Sequence, residues 1–209
     1  MGSCDNDTLM ITGADAVTLK TLPTNLCGTL TGSHIYLSVK SVDSVTLTVT
    51  LTSISTQKWK ILLRQFDSTQ TDYLAPRGCL QYYRETSGDL MSFNYNDGNG
   101  MLLNDQMYSM CIEQRDEYCD IALTENKFDL GGSSGSCSDS ITLGTTQFCG
   151  SSLGTTACKI FWIYYFLNIN TYFKPYSHFY TILRATVFKK PPPWQNMWFL
   201  LWPQLHISF

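Results

Sequence analysis

The sequence predicts an all-β, antiparallel fold, and three observations carry that prediction. Val45-Thr46-Leu47-Thr48-Val49-Thr50-Leu51-Thr52 alternates apolar and polar residues without a break, using only β-branched residues and leucine. Such a run makes a strand with one buried and one wet face. The remaining apolar runs before residue 158 are short, and Gly, Asn, Asp or Ser bounds each of them. No window shows the 3.6-residue period of a convincing amphipathic helix. Many short strands separated by turn clusters indicate a β-sandwich.

The elements follow in order. Strands are expected at or near 9–12, 34–40, 45–52, 57–66, 90–95, 106–114 and 117–124, with a further short run at Phe128-Asp129-Leu130. In the fourth, Trp59, Ile61 and Leu63 fall on one side and Lys58, Lys60 and Arg64 on the other. The intervening Ser53-Ile54-Ser55-Thr56 suits a connection, so 45–66 is expected to form an antiparallel pair.

Composition divides the chain. It has 209 residues, with 14 Lys+Arg against 17 Asp+Glu. That length can bury a substantial core. The net charge of −3 argues against a nucleic-acid partner, because phosphate recognition needs a basic surface. Residues 159–209 hold 5 Lys+Arg, no acid and 16 of the 28 aromatics, so the sequence changes character near 158. The apolar stretch 160–167 is too short for a membrane span, and Asn168, Asn170 and Lys174 interrupt its extension. The tail reads like translated AT-rich non-coding sequence and is expected to stay outside the fold as an irregular segment. A natural tail that touches membrane surfaces through its aromatics is the alternative.

Eight cysteines stand at positions 4, 27, 79, 111, 119, 137, 149 and 158, and none forms a C-x-x-C pair. A zinc ribbon or thioredoxin-like motif is therefore disfavoured. The number suits disulfides in an oxidising compartment, with a cytosolic chain of free thiols as the alternative. Met1-Gly2-Ser3-Cys4-Asp5-Asn6-Asp7 lacks the features of a signal peptide, so the N-terminus is expected to be incomplete.

An internal echo links two regions. Cys4-Asp5-Asn6-Asp7-Thr8-Leu9-Met10-Ile11-Thr12-Gly13 precedes Leu26-Cys27-Gly28, and Cys137-Ser138-Asp139-Ser140-Ile141-Thr142-Leu143-Gly144 precedes Phe148-Cys149-Gly150. Both read Cys, Asp, a short apolar strand, Gly, then Cys-Gly. This pattern resembles the second half of a CUB domain, an extracellular β-sandwich of jelly-roll type. Cys79-Leu80-Gln81-Tyr82-Tyr83, Gly88-Asp89-Leu90-Met91-Ser92-Phe93-Asn94-Tyr95 and Tyr108-Ser109-Met110-Cys111-Ile112 resemble the first half of another. Gly32-Ser33-His34-Ile35-Tyr36 and Ala75-Pro76-Arg77-Gly78 fit the variant found in arthropod two-CUB secreted proteins.

The resemblance covers roughly 4–150 and implies a fragment. Residues 4–66 are similar to the C-terminal part of one CUB-like unit, 67–78 to a linker, and 79–150 to the N-terminal part of a second; 151–209 is the anomalous tail and not a domain. It further implies disulfides Cys4–Cys27, Cys79–Cys111 and Cys137–Cys149, leaving Cys119 and Cys158 unpaired or joined opportunistically. Some CUB domains bind calcium, and Asp7 and Asp139 match that family's Asp after the third cysteine. Calcium needs six to eight oxygens. The family's other acidic positions fall near Leu130-Gly131 and Thr52-Ser53, which carry no acid, so neither aspartate makes a site by itself.

Other motifs carry little chemistry. Asn6-Asp7-Thr8 is a glycosylation sequon, meaningful if the chain is secreted. Gly131-Gly132-Ser133-Ser134-Gly135 fits G-x-S-x-G, but a Ser/Gly-rich loop replaces the helix that a nucleophile elbow requires. The histidines are His34, His178 and His206, and His34 opens a strand, where a packed or surface imidazole is expected. No nucleophile–base pair emerges. The expectation is a secreted, non-catalytic binding module without a cofactor, for an unidentified extracellular protein or glycan; a matrix-like structural protein is the alternative.

Overall fold

The computed structural model describes residues 4–40, 44–52, 58–104, 106–113, 118–133, 136–144, 146–153, 156–159, 165–171, 181–189 and 204–209. Its elements in chain order are β1 (Thr8–Thr12), α1 (Ala16–Thr21), β2 (His34–Ser38), β3 (Thr46–Thr50), β4 (Leu62–Phe66), β5 (Gln81–Tyr83), β6 (Ser87–Met91), β7 (Gln106–Ile112) and β8 (Tyr118–Phe128). There follow β9 (Gly132–Ser133), β10 (Ser136–Cys137), β11 (Ile141–Leu143), β12 (Thr146–Phe148), β13 (Thr156–Lys159), β14 (Tyr165–Thr171), β15 (Thr181–Lys189) and β16 (Gln204–Ser208).

The strands form an all-β arrangement of several sheets. A five-stranded sheet runs β12-β11-β14-β7-β5 and a four-stranded one β13-β8-β15-β6. A three-stranded sheet runs β2-β16-β4, and β1-β3 and β10-β9 are two-stranded. Described pairs are antiparallel except β5 with β7, which run parallel.

Several expectations change in contact with the structure. The run 45–66 does not fold back on itself: β3 pairs with β1, from Thr46 opposite Thr12 to Thr50 opposite Thr8, and β4 pairs with β16. Alternation specifies which side chains share a face but neither which strand lies alongside nor whether that face is covered: distant partners win here, and Val49 and Leu51 are 36% and 55% exposed instead of buried. In the expected strand 57–66, only Leu62–Phe66 is extended into a ladder, and residues 53–57 lie outside the described residues. Trp59 and Leu63 do not enter the core; they are 64% and 50% exposed. The run 90–95 begins earlier and ends earlier, as β6. Its end becomes a turn in which Asn94, Asn96 and Asp97 have φ of 59°, 46° and 53°. Asn and Asp tolerate that left-handed region better than other side-chain-bearing residues. One short helix exists where none was expected. Asp15 caps α1, its Oδ1 accepting the Thr18 N–H at 2.8 Å.

The aromatic-rich segment after 159 also differs from its expected place outside the fold. Within the described residues it supplies β14, β15 and β16. β14 runs along β7 from Tyr165 opposite Ile112 to Thr171 opposite Gln106, and β15 lies between β8 and β6. Open sheet edges accept any segment that can extend, and Thr, Ile, Tyr and Phe extend readily.

Residues 4–66 and 79–150 contribute to one core. Leu9, Ile11, Leu26, Ile35 and Leu37 pack in the same cluster as Leu80, Leu90, Phe93, Tyr108, Met110 and Ile141. Polar contacts join the stretches as well. Asn94 Oδ1 accepts the Thr29 N–H at 2.8 Å, and the Tyr36 N–H donates to the Leu80 carbonyl at 2.8 Å. Disulfides Cys4–Cys27, Cys79–Cys111 and Cys137–Cys149 clip each stretch locally. Each contributes about 3–4 kcal/mol in the chain-entropy account.

Candidate functional site

The three-stranded sheet and β5 carry a cluster of rings. His34 and Tyr36 project from β2, and residues two apart on a strand share a face. His206 of β16 stacks on Tyr36, with centroids 4.5 Å apart and planes at 28°. It lies 5.5 Å from His34 and 6.4 Å from Phe66 of β4. Phe66 in turn stacks on Tyr73 at 5.4 Å. Tyr82 and Tyr83 close the other side, 5.9 Å from Tyr36 and 4.9 Å from His34. Such offset and edge-on pairs add about 0.5–1.5 kcal/mol each beyond area burial.

Charge sits at the rim. The Arg84 guanidinium lies 5.5 Å over the Tyr73 ring, and its Nε donates to Glu113 Oε1 at 3.2 Å. Tyr73 is half exposed, so the rim is open to a partner. Inside, burial lowers the basicity of both imidazoles. His206 is lowered to about 4 by desolvation, then by His34 and Arg64. His34 is lowered by desolvation, opposed by the Tyr82 backbone. Its Nε2 accepts the Tyr82 N–H at 3.1 Å when neutral, and the Tyr82 carbonyl stands at the same distance for a protonated ring. Burial raises the Tyr36 hydroxyl, partly offset by Arg84 and Arg64. These neutral rings can stack and hydrogen-bond, and the arginine can attract an anionic or aromatic group.

The residues singled out from the sequence scatter over the molecule. Asp7 Oδ1 accepts the Thr52 N–H at 2.8 Å, tying the start of β1 to the end of β3. Asp139 is buried in the turn before β11, where its N–H donates to the Gly131 carbonyl at 3.2 Å. No group of three or more His, Cys, Asp or Glu side chains that could hold a metal occurs among the described residues. Asn6 is exposed. Ser133 lies in β9, while Ser134, Gly135 and His178 fall outside the described residues. Cys158 stands opposite Ile121 in the β13–β8 ladder, two residues along from Cys119. No helix of the described residues is long and apolar enough to cross a membrane.

Sequence reasoning did not single out the cluster. His206 is 172 positions from His34, and no local pattern announces that they meet. The available signal was modest: rings at alternate positions in Ser33-His34-Ile35-Tyr36 and an adjacent pair in Gln81-Tyr82-Tyr83.

Residues 76–165 match the model of the animal CUB domain. A search of curated proteins finds no match to the chain. Within the matched stretch lie β5 to β13, the parallel β5–β7 pair and two of the disulfides. A strand-built, disulfide-clipped body is what that family implies, and residues 76–165 are similar to the animal CUB domain.

Proposed function

We propose that the chain is a non-catalytic, extracellular interaction module whose partner is a protein or glycan. The match over 76–165 carries this reading, because CUB domains act as interaction modules outside the cell. Three disulfides accord with an oxidising compartment. We read 4–66 and 79–150 as two CUB-like stretches, and the core they share supports treating them as one binding body. The ring cluster with Arg84 and Glu113 at its rim is the face we assign to recognition.

The test uses the folded, oxidised chain. Immobilised on beads, it is exposed to extracellular fluid, and any retained component is purified and titrated back. Saturable binding that Arg84→Ala weakens by tenfold or more supports the proposal. Retention that never saturates, or that a reduced and unfolded chain reproduces, favours a matrix-like role and rejects a specific site.

A further inference from the structure

The sheet β2-β16-β4 is unusual in its order. Its two outer strands come from residues 34–66, and the strand between them comes from the far end of the chain. β16 is antiparallel to both neighbours over its whole length. His206 stands opposite Tyr36 on one side and Arg64 on the other; Ile207 stands opposite Ile35 and Leu63. The ladder continues past the strand: the Phe209 N–H donates to the Ser33 carbonyl at 2.9 Å, and the Gly32 N–H donates to the Phe209 carbonyl at 3.1 Å. Among the described residues β4 has no ladder partner except β16. The gap between β2 and β4 is thus one strand wide, about 10 Å from strand to strand.

The two faces of the gap make different demands. On the core side Ile207 is 0% exposed and packs with the cluster that contains Ile35. A charged residue there would be buried without a partner. On the other side the His206 ring stacks between Tyr36 and Phe66. A flat ring fits that space, and a branched aliphatic residue cannot stack. Backbone hydrogen bonds on both edges supply affinity for any extended chain, and these two positions supply selection.

We propose that the gap between β2 and β4 is a strand-acceptor site for an extended peptide with an aromatic or imidazole residue followed by a buried aliphatic one, and that between molecules its occupant is the β16 strand of a second copy of this chain. Register favours that occupant. The same strand makes the same ladder and the same stacking whether it arrives from its own chain or from another, so exchange costs little beyond the loss of free translation. The inference rests on these three strands alone and stands apart from the extracellular reading.

A labelled synthetic peptide of residues 203–209 tests it. The full chain carrying Ile207→Asp, which cannot seat its own strand, should bind this peptide saturably, as read by fluorescence anisotropy. A peptide with its own Ile207→Asp change, or a scrambled one, should bind at least tenfold more weakly. The wild-type chain should also bind at least tenfold more weakly, since its own strand competes. Equal binding of the scrambled peptide, or no saturable binding, overturns the proposal. Should the Ile207→Asp chain lose its strand signal in circular dichroism, two dye-labelled batches of wild-type chain are mixed instead. Energy transfer that grows over time and is suppressed by excess unlabelled peptide supports strand exchange. Monomers at every concentration with no transfer overturn it.

Discussion

His206 is kept neutral by its surroundings. Tyr36 and His34 face it from β2, Arg64 from β4, and Phe66 covers the far side. Tyr82 and Tyr83 back His34 from β5, and Arg84 and Glu113 act on Tyr36. A charge placed there would lose its water and stand near Arg64. The unfolded imidazole takes its proton near 6.5, the folded one only near about 4. Between those values the unfolded chain binds more protons, so stability falls as pH drops from 6.5 to 4 and levels off below. His34, also lowered by burial, adds to the same slope. His206→Phe keeps the stack on Tyr36 and removes the proton. Urea midpoints at pH 7 and pH 4.5 should show the variant losing less than the wild type, by about 1–2 kcal/mol after allowing for solvent screening. Parallel losses in the two proteins would show that the imidazole is not the cause. The chemistry of this residue was invisible in the sequence, because a histidine in Leu205-His206-Ile207 reads as an ordinary strand position until Tyr36 and Phe66 are brought beside it. The family resemblance was more informative: it implies Cys4–Cys27, Cys79–Cys111 and Cys137–Cys149, and these three pairs stand at bonding distance.

Elements show what local pattern can and cannot specify. The alternation of 45–52 produced a strand at the place it indicated, but its neighbour is β1, and β4 found β16 instead. Faces are local, whereas partners depend on the whole chain. The tail strands escaped notice for a related reason. Their aromatic, acid-free composition looked foreign, yet edges such as that of β7 need only an extended backbone. The helix α1 was missed because six residues are too few to show a period. Its legible part was Asp15-Ala16-Val17-Thr18, an N-cap residue ahead of the amide it satisfies. Burial alone would raise the Asp15 carboxyl, but the Thr18 hydrogen bonds and the Arg77 guanidinium outweigh it and hold it low. Arg77 is 61% exposed, so its 3.3 Å contact with Oδ2 adds little. The cap is the larger effect. Asp15→Ala should cost about 1–2 kcal/mol in urea unfolding, while Asp15→Asn, which caps equally well, should cost less than about 1 kcal/mol. Equal losses would mean that the Arg77 ion pair, and not the cap, holds the segment.

In the whole molecule no described disulfide ties residues 4–66 to the stretch 76–165, since each closes within one side. The joint consists of the shared core and a few directed contacts. Asn94 is central to it. Its Oδ1 accepts from Thr29 and its Nδ2 donates to the Met101 carbonyl at 2.9 Å, so one side chain pins the Cys27-Gly28 turn to the turn after β6. Gly28 permits that approach. Its φ is 75°, and a Cβ placed there would stand 2.0 Å from Asn94 Oδ1. Gly28→Ala therefore combines left-handed backbone strain of about 1–2 kcal/mol with displacement of the Asn94 amide, which costs about 1–3 kcal/mol for the polar groups left unpaired. Because Leu9, Ile35, Phe93 and Met110 belong to one cluster, this loss should not stay local. Hydrogen exchange read by mass spectrometry should show amides of β1, β2 and β7 opening together in the wild type. In Gly28→Ala all three should lose protection by the same amount, about 2–5 kcal/mol. Faster exchange confined to β1 and β2, with β7 unchanged, would mean that the first 66 residues rest on the stretch 76–165 as a separable body. The shared core would then be a contact between two folding units and not the centre of one.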